Sequence, residues 1–280
     1  MSLAANPIRS AASPAGGRWM AGLSLGYLGL MVALPMAALS VRAFQAGPAE
    51  FAKALGSPFA LHALGLTVAT ALVMTLVNAV TGTATAWVMV RHAFPGKGLV
   101  NALIDLPFAV PTVVTGVMLV ALYGPSSTLG AILGHHGLPI IYHQPGIVLA
   151  LLFVSFPFVV RSVQPVLLEL DRAEEEAAAT LGADAWRTFH RITLPTLRPA
   201  IVTGCALSFS RALGEFGSVV MVAGNRPLAT RTAPMYIFGE IEGGNLPGAT
   251  IISLALLGGS LGVLVALNRW QHRLGRIHGR

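Results

Sequence analysis

Arg211 and Glu215 are the only charged side chains between Pro199 and Ala223, and they stand four residues apart. On a helix that spacing puts both on one face. A charge in the middle of an apolar span costs about 2.5–3.5 kcal/mol on insertion scales, so it must face a partner or a cavity. Two readings stay open: a structural pair that neutralises itself, and a guanidinium whose unused donors give positive potential to a path for an anion. Hydroxyls that could line such a path are Thr112 and Thr115, beside Pro107 and Pro111, and Ser208 and Ser210. The more ordinary reading of each is a small polar residue packing helix on helix. Backbone N–H groups at an interrupted helix N-terminus can hold an anion without any arginine, and the two prolines are candidates for such an interruption. Gly214 and Gly217 are expected to permit close helix approach.

Other chemistries find little material. No G-x-x-x-x-G-K-[ST] occurs, because Arg91 stands where the Gly96-Lys97 pair would need its first glycine, so the chain carries no ATP-binding P-loop. One cysteine, Cys205, allows no disulfide and no thiolate metal site within the chain. His135, His136 and His143 share a stretch without carboxylates or thiols and read as exposed loop histidines, so no metal is expected. No Ser/His or His/Asp set shares a depth, which argues against an intramembrane hydrolase; catalytic residues are not expected.

The elements that must position these residues follow from composition. Of 280 residues 54% are apolar and 10% charged, where soluble chains carry about 25% charged. An all-α polytopic membrane protein with six transmembrane helices results. Span one begins at Trp19 and ends before Arg42, too long for the h-region of a signal peptide. Span two covers Leu61 to Val90, after a break at Gly56, Ser57 and Pro58, and span three Leu99 to Tyr123. Gly124 to Gly146 is a loop with Pro125, Pro139 and Pro145. Span four runs from Ile147 to about Leu168, span five from Pro199 to about Ala223, and span six from Ala249 to Asn268.

Net charge is +7. Arg9, Arg18, Arg91, Lys97, Arg161, Arg172, Arg187, Arg191, Arg198, Arg269, Arg273, Arg276 and Arg280 fall on the side of the termini, against Arg42, Lys53, Arg226 and Arg231 on the other. That asymmetry orients both termini to the cytoplasm. The basic excess is therefore topology information, and nucleic acid is not an expected partner. The divisions are a tail over 1–18, a transmembrane region over 19–270, and a basic tail over 271–280.

Six of the eleven acidic residues lie in the segment 169–198. Glu174, Glu175 and Glu176 ahead of three alanines favour a short helix, since carboxylates complement its positive end. Gly182 suits its stop, Asp184 an N-cap for a second short helix, and Pro195 that helix's boundary. Leu181, Trp186, Phe189 and Ile192 would be its apolar contacts. An amphipathic connection lying on lipid headgroups has the same periodicity.

Glu176-Ala177-Ala178, then Gly182, then Ile192-x-Leu194-Pro195 resembles the EAA loop of ABC-importer permeases, at every signature position and spacing. Asp105-Leu-Pro107-Phe-Ala-Val-Pro111-Thr112, Pro157 to Pro165 and Leu207 to Gly217 extend the likeness to sulfate/thiosulfate permeases, in the form of their T-type subunits. The resemblance implies a type I (MetI-like) permease fold in a bacterial inner membrane, and a transport subunit for sulfate or thiosulfate that is not itself an enzyme. It implies that Glu176, Ala177, Ala178, Leu181, Gly182, Trp186, Ile192, Leu194 and Pro195 couple to an ATPase. The implied partners are a homologous W-type permease subunit, two ATPase subunits, a periplasmic sulfate/thiosulfate-binding protein and membrane lipid. No cofactor is expected on this chain; Mg-ATP would sit on the ATPase. Molybdate and tungstate permeases share the Arg211 to Gly217 stretch and are the alternative solute class. A proton-coupled anion transporter is the alternative mechanism, against which stands Glu215 as the one carboxylate deep in a span.

Overall fold

A computed structural model describes residues 14–278, and every regular element among them is a helix. Arg9 and Arg280, with the side chains of Arg18, Arg273 and Arg276, lie outside the described residues. Helix α1 (Pro14–Leu28) passes through a π-turn at Gly29–Ala33 into α2 (Leu34–Gln45). Together they give a first candidate span, Trp19–Gln45. A second π-turn, Phe189–Thr193, joins α10 (Ala185–Thr188) to α11 (Leu194–Leu213). Both π-turns sit just ahead of a proline, Pro35 and Pro195. Widening the turn relieves the clash of the ring with the carbonyl four residues back, and the helix continues. Pro195 therefore does not bound the second short helix, as its ring suggested; that helix runs on into span five as one rod, Ala185–Leu213.

Helix α3 (Gly47–Gly56) precedes α4 (Pro58–Arg91), whose 34 residues reach about 51 Å. Helix α8 (Gln144–Glu169) packs along α4. Leu66 shares a core with Ile147, Asn78 Nδ2 donates to the Leu152 carbonyl at 3.5 Å, and Gly82 meets Val159. These contacts run in register, so α4 and α8 are parallel and the chain between them must return across the membrane.

That return is not the straight span expected over Leu99 to Tyr123. It is a bent pair, α5 (Lys97–Ala109) and α6 (Thr112–Tyr123), whose axes turn by 115°. Pro111 supplies no N–H and forces Val110 into extended backbone, φ −85° and ψ 127°. Counted as one span, the pair brings the total to six among the described residues. The bend leaves an apolar cavity of about 570 Å³ lined by Asn78, Leu103, Pro107, Leu122 and Phe156. The expected loop after it holds a helix, α7 (Thr128–His135), capped by Ser127 accepting from Gly130 N at 2.9 Å.

Beyond α9 (Arg172–Thr180), α10 and α11, the expected single span Pro199 to Ala223 is broken too: α11 stops at Leu213, and α12 (Gly217–Ala223) restarts after Gly214, Glu215 and Phe216. Helix α13 (Ala233–Glu242) and the long α14 (Leu246–His278) complete the chain. Two apolar clusters hold α4, α8 and α11 together, one around Met74, Leu151 and Phe209, the other around Met89, Val163 and Leu197.

Candidate functional site

The acidic segment folds as its residue types predict. Asp171 caps α9 by accepting from Ala173 N at 2.9 Å, and Asp184 caps α10 by accepting from Arg187 N at 2.7 Å. Between them Gly182 adopts φ +83°, a left-handed conformation that glycine takes without strain. Glu176, Ala177, Gly182 and Trp186 are exposed, and Leu181 stands 89% exposed. Ala178, Ile192, Leu194 and Pro195 are half-buried where the pair meets the spans. An apolar projection of this kind, rimmed by charge, is the mark of a contact surface.

The pair is anchored by a contact from α4. Arg91, at the end of α4, donates from Nη2 to Glu175 Oε1 at 2.9 Å, and the same oxygen accepts from Thr193 Oγ1 at 2.8 Å. The guanidinium lies 5.4 Å from the centre of the Trp87 ring, which packs edge-on against Phe189. Only the interval of 84 residues between Arg91 and Glu175 hid this contact.

Two charged groups occupy the spans. Glu215 Oε2 pairs with Arg211 Nη1 at 2.7 Å, and Oε1 accepts from both Ser218 N and Ser218 Oγ at 2.9 Å. The expected i, i+4 pairing on one helical face is corrected in its cause: Arg211 is in the last turn of α11, and Glu215 lies in the break beyond it. Glu215 is buried while Arg211 keeps part of its side chain accessible, leaving guanidinium donors uncommitted. The second group is an ion pair that joins span three to span four. Arg161, inside α8, donates to both oxygens of Asp105 in α5, to Asn101 Oδ1 at 2.9 Å and to Gln164 Oε1 at 2.6 Å. The i to i+4 spacing of Asn101 and Asp105 puts an amide and a carboxylate on one face of α5, which marks them as partners for a cation without indicating which one.

The two breaks meet. Helices α6 and α12 pack together, and a Cβ on Gly116 would lie 2.8 Å from the Ser218 carbonyl and 2.7 Å from Met221 Cβ. A Cβ on Gly217 would collide with Thr112 Oγ1, whereas Gly214 has open space around it, so close approach explains Gly217 alone. Of the hydroxyls singled out, Thr115 and Ser208 are buried, Ser208 donating to the Ser155 carbonyl at 3.1 Å. Ser210 bonds its own helix at Ala206 O, and Thr112 is half-buried beside Gly217.

Residues 78–274 match the family described as the binding-protein-dependent transport system inner membrane component. The chain belongs to this family. As a member it is a multi-pass inner-membrane permease component and not an ATPase domain. Among curated proteins the permease is 46% identical over 250 residues to the probable sulfate transport system permease protein cysT of Chlorokybus atmophyticus, covering 89% of this chain and 87% of the other. It is 41% identical over 255 residues to the sulfate transport system permease protein CysT of Escherichia coli K12, covering 91% and 92%. Among solved structures, a bacterial alginate ABC transporter chain superposes with a TM-score of 0.76 at 18% identity, covering 92% of this chain and 94% of that one. The MetNI methionine ABC transporter gives 0.58 at 16% identity, over 76% and 95%. At those identities the likeness is one of fold, and the fold is that of ABC-importer permeases, as expected.

Proposed function

We propose that this permease is the T-type transmembrane subunit of an ATP-driven sulfate/thiosulfate importer. The observation that carries the solute is its 41–46% identity, along about nine-tenths of its length, to permeases named for sulfate transport. The face bearing α9 and α10 is cytoplasmic, as are both termini, in keeping with the excess of Arg and Lys on that side. The pair, with Glu176, Ala177, Ala178, Leu181, Gly182, Trp186, Ile192, Leu194 and Pro195, docks on one of two ATPase subunits that bind Mg-ATP. A homologous W-type permease completes the membrane pathway, and a periplasmic sulfate/thiosulfate-binding protein delivers the anion. Arg211, held by Glu215, supplies positive potential to the path beside Thr112, Thr115, Ser208 and Ser210, and the crossing of the two broken spans is where the path opens and closes by rigid-body motion.

Purified complex, assayed for ATPase stimulation by binding protein loaded with sulfate, thiosulfate or molybdate, tests the assignment. Stimulation by the first two and not by molybdate is expected. Stimulation by molybdate alone would move the chain to the molybdate class.

A further inference from the structure

We infer that Arg91 is a positioning residue that clasps the cytoplasmic helix pair to α4, and that α4 is the rod carrying the pair's displacement to the outer face. The inference rests on the reading of α9 and α10 as the ATPase-docking pair.

Glu175 Oε1 is the point at which three elements converge. It receives Arg91 Nη2 from the end of α4 and Thr193 Oγ1 from the π-turn that opens span five, and it belongs to α9 itself. Arg91 has a side chain only 9% exposed, and its Nε is buried with no hydrogen-bond partner among the described residues. The guanidinium thus depends on Glu175 for its counter-charge, with the Trp87 ring as an additional partner. With Arg91 largely shielded and Glu175 about one-fifth exposed, loss of Glu175 leaves the guanidinium without its counter-charge. Displacement of α9 must therefore either carry the end of α4 with it or break the pair.

Helix α4 is suited to pass that displacement on. It is one uninterrupted helix from Pro58 to Arg91. Roughly 14 Å from Arg91 it rests against α8 at Gly82, where even a Cβ would stand 2.8 Å from Val159 Cβ. That contact is a bearing with no slack. Roughly 23 Å further on, Thr67 Oγ1 accepts from Ala233 N at 2.8 Å in a buried bond to the first residue of α13. Inner clasp, bearing and outer clasp lie on one rod packed along α8 on both sides of Gly82, so α4 and α8 shift together and a displacement at Arg91 moves α13 on the opposite face.

The test uses the assembled complex in a Cys205→Ser background, with spin labels on Phe59→Cys at the outer end of α4 and Arg42→Cys in the last turn of α2. Their separation is measured by pulsed dipolar spectroscopy with and without trapped nucleotide. A nucleotide-dependent change is expected with Arg91 and Glu175 intact, loss of that change in Arg91→Ala and in the isosteric Glu175→Gln, and its return in the exchanged pair Arg91→Glu with Glu175→Arg. A change of undiminished size in both single variants, or no return in the exchanged pair, would overturn the clasp while leaving ATPase docking intact. No change with the clasp intact would overturn the rod, and failure of ATPase subunits to associate at all would overturn the docking reading beneath it.

Discussion

Arg161 grips Asp105 with two parallel hydrogen bonds, Nε to Oδ1 at 2.7 Å and Nη2 to Oδ2 at 2.5 Å, tying the first half of the bent span to the middle of α8. A forked pair of this geometry is stronger than a single-point contact. It holds α5 against α8 on the near side of the bend, while α6 on the far side is held by its close crossing with α12. Asp105→Ala should lower stability by roughly 1.5–3 kcal/mol, the worth of hydrogen bonds to a charged group. Arg161→Ala should cost more, since it also releases Asn101 and Gln164. Thermal unfolding of the complex in detergent checks the ranking; equal loss from both would show that Asn101 and Gln164 contribute nothing.

Arg211→Gln should reduce sulfate uptake about tenfold or more, equivalent to ~1.4 kcal/mol, while the complex still assembles. Glu215→Ala should act differently. Its carboxylate also accepts from Ser218 N and Ser218 Oγ, and removing one partner of a buried pair costs about 3–5 kcal/mol, here at the lower end because Arg211 is partly accessible. Yield of assembled complex and uptake per complex, measured together, separate the two. Loss of assembly in Arg211→Gln with normal uptake per complex would make the pair purely structural.

Much of this arrangement was legible in the chain itself. Asp184 as an N-cap, Gly182 as a stop and the six apolar spans follow from local residue types, because capping, left-handed backbone and burial are decided within a few residues. The breaks were half legible. Pro111 announced the bend in span three, but the break at Gly214 to Phe216 contains no proline and depends on α12 packing against α6. The ion pairs Arg91 to Glu175 and Arg161 to Asp105 join positions 84 and 56 residues apart, and no local rule connects them. Residue type alone gives Arg161 the look of a charge that sets orientation, and only the fold shows that it is paired with Asp105.

Gly182→Pro should leave insertion intact and abolish coupling. A proline locked near φ −65° cannot adopt +83°, and the bond from Gly182 N to Ala179 O is lost. Gly182→Ala should be milder, roughly 1–2 kcal/mol of strain. Replacing Glu176 and Ala177 with bulky residues should uncouple in the same way. Membrane insertion, ATP hydrolysis and uptake measured side by side check this, and normal uptake in Gly182→Pro would contradict the docking role of the pair.

Gly116→Val should disrupt the crossing of α6 and α12, because the Ser218 carbonyl and Met221 leave no room for even one methyl group. Overpacking of this kind costs typically 1–3 kcal/mol, roughly the top of that range against backbone. Gly98→Ala, where the added carbon meets open space, should stay within about 0.5 kcal/mol. Unfolding midpoints of the two variants in the same complex give the comparison.

The proposed function is sulfate transport across the membrane at the expense of ATP hydrolysed by a partner. Its most direct measurement is uptake of radiolabelled sulfate into proteoliposomes holding the permease pair and ATPase subunits, with binding protein added on the outer face and ATP enclosed. Uptake that requires ATP and binding protein, is blocked by vanadate and persists with a proton uncoupler is predicted. Sulfate uptake that ignores vanadate and collapses with the uncoupler, or ATP-driven uptake of molybdate with none of sulfate, would contradict it.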